Sequence, residues 1–332
     1  MTRAWLVMAV LVAGSLAGFG ALPAQAATLD VCPSGCPYTT IQQALAAAAS
    51  GDTISVAPGT YPGGFTIGTN VTVVGSGAAQ TSVMGAGKRG YVITVATGVT
   101  AAIEALTIDG GAFGSHRAGD AVANSGTLTV QNSTVTGSNT NSAVFNDFSG
   151  TLTVDHTTVS GNQPPGAALL NFGAVTIYRS TITKNFVGFS SITNTNGGTM
   201  TIADSTISGN AGEPAGGVEN DSGSTLTIRA STISGNNGGG IANGVSVPGN
   251  PAATLRLYDV IVKDNFDASP AGIWNGQAGV AALHNSQIVH NNNTAIPRGI
   301  SGIWNQNVLT LDHSIVRYNI PNNCVGCGHP GR

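Results

Sequence analysis

Charge is what this sequence has least of. Only 8% of its 332 residues are Asp, Glu, Lys or Arg, against about a quarter in an ordinary soluble domain. Acids outnumber bases by 15 to 12, for a net charge of −3, which argues against nucleic acid or anionic membrane as a partner. Aromatic residues are scarce too, at 5%. Long apolar runs are missing after the first, Leu6–Leu22, which follows Arg3 and ends at Ala24-Gln25-Ala26. That pattern predicts a cleaved secretory signal over 1–26 and a mature chain starting near Ala27. Its removal takes Arg3 and no acid, leaving 11 bases against 15 acids and a net charge of −4. No Cys follows the run for lipid attachment and no second stretch offers an anchor. The expectation is a secreted or cell-wall-associated monomer with no cofactor and no metal.

What is present is a repeat. STISGN occurs at Ser205–Asn210 and again at Ser231–Asn236. The frame around it recurs as TLTVQNSTVTGS (127–138), TLTVDHTTVSGN (151–162), AVTIYRSTITKN (174–185), TMTIADSTISGN (199–210) and TLTIRASTISGN (225–236). It drifts through TLRLYDVIVKDN (254–265), VAALHNSQIVHN (280–291) and VLTLDHSIVRYN (308–319), and TAAIEALTIDGG (100–111) precedes it. The closing Asn at 162, 185, 210, 236, 265, 291 and 319 gives steps of 23, 25, 26, 29, 26 and 28. Between copies stands a second motif: AVAN, AVFN, ALLN, SITN, GVEN, GIAN, GIWN and GIWN, ending at Asn124, Asn146, Asn171, Asn194, Asn220, Asn243, Asn275 and Asn305.

Each period therefore holds three short segments with apolar residues at alternate positions, the mark of strands with one buried face. Gly and Asn punctuate them, and no run of 3.6-residue periodicity intervenes. Three strands per period with no return partner predict an all-β parallel β-helix, a solenoid of about ten rungs. Leucine-rich repeats need more leucines per turn, and a sandwich would not keep eight equivalent Asn. Stacked at about 4.8 Å, the Asn amides are expected to hydrogen-bond along the axis in two structural ladders.

The stretch YTTIQQALAAAASGDTISVAPGTYPGGFTIGTNVTVVGSG (38–77) resembles the opening of pectin-lyase-like right-handed parallel β-helix proteins, and the repeats are similar to bacterial secreted β-helix proteins. The resemblance implies a capping helix followed by a right-handed solenoid. Thr39 with Gln42 fits a capping box, Ala44–Ala49 favours helix and Gly51 can end it. The domains expected are a signal peptide (1–26), a cap (27–51), a β-helix (52–319) and a tail (320–332). The superfamily holds lyases, hydrolases, esterases and adhesins, so the fold alone implies no single activity. The Gly-His-Gly of polygalacturonases, the Asp-rich calcium set of pectate lyases and the catalytic signature of pectin esterases are all missing, so no catalytic residue carries over.

Four cysteines form two close pairs, Cys32/Cys36 and Cys324/Cys327. Roughly 45 Å of solenoid at strand spacing separates them, too far for one shared metal. Two local disulfides are expected in an exported chain, with a redox-active Cys324-Val-Gly-Cys327 as the alternative.

Reading outward positions as columns, the middle rungs are bland Thr and Ser. The last three break the pattern with Lys263, Asp264, His290, Arg317 and Tyr318. A β-eliminating lyase needs a base at C5 of a uronic acid and cations for its carboxylate, which these residue types can supply. The resemblance implies a cleft on this strand face; terminal rungs carrying charge as a polar cap is the competing reading. Trp274 and Trp304 take the outward slot of Gly-Ile-x-Asn on neighbouring rungs, either to stack sugar rings or to pack under the tail. Asp155-His156 and Asp312-His313 look like a repeated dyad six rungs apart. The loop Ser115–Asp120 is polar, with no partner that the sequence identifies.

Three functions follow, in this order. The first is polysaccharide binding without a catalytic site. The second is lyase or glycoside hydrolase action on uronic-acid glycans through residues 263–318. The third is ice binding through Thr127/Thr129, Thr151/Thr153, Thr199/Thr201 and Thr225/Thr227, a Thr array that Ala174 interrupts.

Overall fold

A computed structural model describes residues 25–327 except 86–89, 111–119, 246–248, 250, 267–269 and 294–298. The signal segment, apart from Gln25 and Ala26, and most of the 115–120 loop lie outside the described residues. Each repeat contributes one strand to each of three parallel sheets, of 12, 11 and 11 strands. Sheet A runs from Thr28–Val31 to Val308–Asp312 and takes the Thr-Leu-Thr-Ile segments. Sheet B, from Gly59–Pro62 to Ile315–Arg317, takes the Ser-Thr-Ile segments. Sheet C, from Phe65–Ile67 to Cys324–Val325, takes the Gly-Ile-x-Asn segments.

Inside and outside follow the alternation. In Thr199–Ala203, Met200 and Ile202 are fully buried; in Thr206–Ser208, Ile207 is buried between two half-buried neighbours. Register stacks like on like: Thr206 pairs with Thr232 and Ile207 with Ile233. One continuous apolar core results.

The corners explain the punctuation. Every turn from sheet A to sheet B passes through one left-handed residue, from Ala105 to His313, with φ between 43° and 57°. After each sheet B strand from Thr134–Thr136 onward comes a second, at Gly137, Gly161, Lys184, Gly209, Gly235, Asp264, His290 and Tyr318, with φ between 55° and 71°. Positive φ favours glycine, and that is why glycine takes four of these eight positions.

Both Asn ladders form. Along sheet C each Nδ2 donates to the next Oδ1 at 2.7–2.8 Å, from Asn124 through Asn146, Asn171, Asn194, Asn220, Asn243 and Asn275 to Asn305. The second runs from Asn162 to Asn319 at 2.9–3.0 Å. A third ladder, not anticipated, uses hydroxyls. Backbone N–H groups of Ser133, Thr157, Ser180 and Ser205 donate to Thr157 Oγ1, Ser180 Oγ, Ser205 Oγ and Ser231 Oγ.

The helix spans Ile41–Ala47, and its capping box is Thr40 with Gln43, one residue later than expected. Ile41, Ala44 and Leu45 join the core. The segment expected to be only a cap also supplies a strand, because Leu29 and Val31 alternate inward as Thr28–Val31 pairs with Thr53–Val56. Cys32–Cys36 and Cys324–Cys327 are both disulfides.

Candidate functional site

Sheet A presents hydroxyls over its middle turns. Thr129, Thr153, Thr176, Thr201 and Thr227 form an unbroken outer column, while the neighbouring column is interrupted at Ala174. Sheet B is similar until its last turns.

There the predicted cluster appears, spread out. Lys263 pairs with Val289 and Val289 with Arg317, so two rungs separate the cations. Asp264, His290 and Tyr318 occupy the left-handed corner. Lys263 Nζ lies 3.6 Å from Asp264 Oδ2. The His290 and Tyr318 rings stack at 5.3 Å, and the Arg317 guanidinium sits 4.9 Å from the Tyr318 ring centre. These side chains contact one another at the surface, and Tyr318 is 59% exposed.

Trp274 and Trp304 are elsewhere, on sheet C, where they pair in register and are half-buried. Both sets lie on the last turns, and the corner after sheet B turns them to different faces. The indoles are also arranged differently from two in-line platforms. Their centroids are 5.3 Å apart with planes at 10°, too close for two indoles side by side. Each therefore covers one face of the other. Trp274 Nε1 donates to Gln306 Oε1 at 3.0 Å, and Val325 of the tail strand follows Trp304 in register.

Sheet C differs from the other two along its length. Its outer column reads Thr94, Ala123, Phe145, Leu170, Thr193, Glu219, Ala242, Trp274 and Trp304. Phe145 meets Phe172 edge-on at 5.4 Å, and Phe148, 65% exposed, lies 5.0 Å from Phe172. Phe186 and Phe189, in the segment entering the Ile192–Asn194 strand, are exposed as well.

Glu219 stands in this column and was not singled out from the sequence. Burial, first, and the neighbouring Asp221 carboxylate, second, push its pKa up from 4.5 to about 7, against a hydrogen bond from Thr193 Oγ1 at 3.4 Å. A signal was available: among the eight x positions of the -x-Asn motif, Glu219 is the one charged residue. A carboxyl half-protonated near neutrality can serve as general acid or base.

The sequence family described as "Right handed beta helix region" matches residues 91–254. No characterised protein sequence matches significantly. Solved structures do. Pectate lyase Pel9A superposes with a TM-score of 0.58 at 14% identity, covering 88% of this chain and 78% of its own. ORF18 of Geobacillus virus E2 gives 0.56 at 12% identity, covering 88% of this chain and 63% of its own. The A-module of the mannuronan C-5 epimerase AlgE6 from Azotobacter vinelandii gives 0.50 at 14%, covering 83% and 93%. At such identities the likeness is one of fold.

Proposed function

We propose that this chain, a right-handed parallel β-helix protein, is exported and binds an extracellular polysaccharide along the outer face of sheet C. One observation carries the reading. Where sheets A and B repeat Thr and Ser over their middle turns, sheet C presents Phe145, Leu170, Glu219, Trp274 and Trp304 in a single column. Aromatic rings with one wet edge suit the apolar faces of sugars, and a chain of sugars can lie along a column that follows the solenoid axis. The Trp pair is the rigid wall at one end, held by Gln306; Phe148 and Phe172 stand at the other. The two disulfides fit an oxidising compartment. The short helix Ile41–Ala47 is assigned as cover for the first turn's open edge. Retention of the protein on immobilised polysaccharides tests the reading. Trp304→Ala and Phe148→Ala should each weaken binding by roughly 1–3 kcal/mol, with Thr134→Ala unchanged. Equal retention for all three rules the face out.

Glu219 favours a second reading, in which the bound chain is also cut. With its proton, Glu219 can protonate a departing glycosidic oxygen; without it, it can take the C5 proton of a uronic acid. Glu219→Gln should abolish new reducing ends or unsaturated products from uronic-acid glycans while binding persists. Products formed undiminished by that variant exclude this role.

A further inference from the structure

The two Asp-His dyads use one backbone device. Asp155 and Asp312 end strands of sheet A, and His156 and His313 are the left-handed corner residues that follow, at φ 45° and 48°. The left-handed turn lets consecutive side chains meet: His156 Nδ1 lies 2.8 Å from Asp155 Oδ1, and His313 Nδ1 lies 2.5 Å from Asp312 Oδ1. What differs is the cross-strand neighbour. Asp155 faces Tyr178, whereas Asp312 faces His284, whose Nδ1 lies 2.5 Å from Asp312 Oδ2.

We propose that His284, Asp312 and His313 form a binding site for a divalent cation of borderline softness, such as Zn²⁺, joining the last two turns of sheet A. Two imidazoles and one carboxylate are ligands that zinc accepts, with bonds of about 2.0–2.2 Å and a further position left for water. The three ligand atoms already lie within 4.8 Å of one another. Donors on one tetrahedral ion sit about 3.4 Å apart at those bond lengths, so the cluster needs adjustments on the order of 1 Å. The side chains are free to make them, being 51%, 50% and 81% exposed. Hard oxygen-seeking cations such as Ca²⁺ prefer six or more oxygens and are poorly served by two nitrogens. Beside the site, the Tyr258 ring flanks His284 at 6.1 Å, and Asn285 donates to Asp259 across the preceding pair of turns.

Calorimetric titration of the untagged protein with Zn²⁺ tests the site. One equivalent should bind, and His284→Gln, His313→Asn and Asp312→Asn should each reduce affinity tenfold or more; Asn keeps the left-handed corner accessible at 313. Because these positions are exposed, the variants should keep the parent's far-ultraviolet circular dichroism. Zn²⁺ should raise the parent's melting temperature and leave that of the double variant His284→Gln/His313→Asn unchanged. His156→Asn, the same dyad without the second imidazole, should bind like the parent. No binding, or binding that survives all three replacements or falls equally with His156→Asn, overturns the proposal.

Discussion

Sheet A and sheet C wind around the same core, with 12 strands against 11, yet their outer faces are built differently. Over five turns sheet A repeats Thr in one outer column; over the nine turns from Thr94 to Trp304, sheet C's outer column places the same residue on neighbouring turns only at Trp274 and Trp304, while its Asn recurs on eight. Inward positions must match, because each packs on its copy one turn above and below. Outward positions are free, so β-propensity alone fills them with Thr and Ser. Where a face departs from that default, its residues are the candidates for a role beyond folding. Glu219 is the plainest case. A carboxyl pushed up to about 7 opposes folding once ionised, and a Thr there would not.

Substitutions can sharpen or break this contrast. The largest loss should come from inside. Ile207→Asp buries a charge with no partner and should cost several kcal/mol in a urea melt, whereas Thr206→Ala beside it should cost under about 1 kcal/mol. Similar losses would invert the inside–outside assignment. Next comes the ladder. Asn210 donates to Ile182 O and Asn236 Oδ1 and accepts from the backbone and side chain of Asn185. Asn210→Ala strands those buried groups, for an expected cost of about 2–4 kcal/mol; a loss near zero would make the ladder ornamental.

Glu219 yields a smaller, pH-dependent effect. Its folded pKa is raised above the unfolded value, so the native state holds a proton that the unfolded chain releases. Stability should therefore fall as pH climbs from about 4.5 to about 7, by on the order of 2–3 kcal/mol. The charge repulsion from Asp221 works in the same direction as burial, and the Thr193 hydrogen bond against it. Glu219→Gln should flatten that part of the curve; an unchanged slope would mean that the carboxyl is solvated and ordinary. Smallest of all, Thr153→Ala on the outer face of sheet A should leave stability within about 0.5 kcal/mol and binding untouched.

The inside of this protein was readable in its sequence because identity carries the register: the Asn that recur every 23 to 29 residues are the Asn that touch. The hydroxyl ladder escaped because Ser205 was read as a strand residue, while its oxygen in fact turns back to accept from the corner of the turn before. Lys263 and Trp274 are close in sequence, yet the chain changes sheets between them, and no periodicity reports that angle. Adjacency of Trp274 and Trp304 was legible; that the rings lie face to face depends on side-chain torsions. Glu219 was overlooked for a related reason. Its shift comes from the burial of one outward slot, which belongs to the folded surface and not to the motif.

The Asn ladders have a direction. From Asn124 to Asn305, and from Asn162 to Asn319, every amide-to-amide bond is donated toward the C-terminal end, so each Asn between the two ends accepts from its copy on the N-terminal side. Each turn thus presents on its upper surface what the next requires on its lower one, and any turn is as good a neighbour as any other. Excising one whole period, such as residues 211–236, would leave Asn210 facing Asn265 in place of Asn236, an amide for an amide. The solenoid can accordingly grow or shrink by complete turns in the course of descent, changing the length of its surface without redesigning its interior.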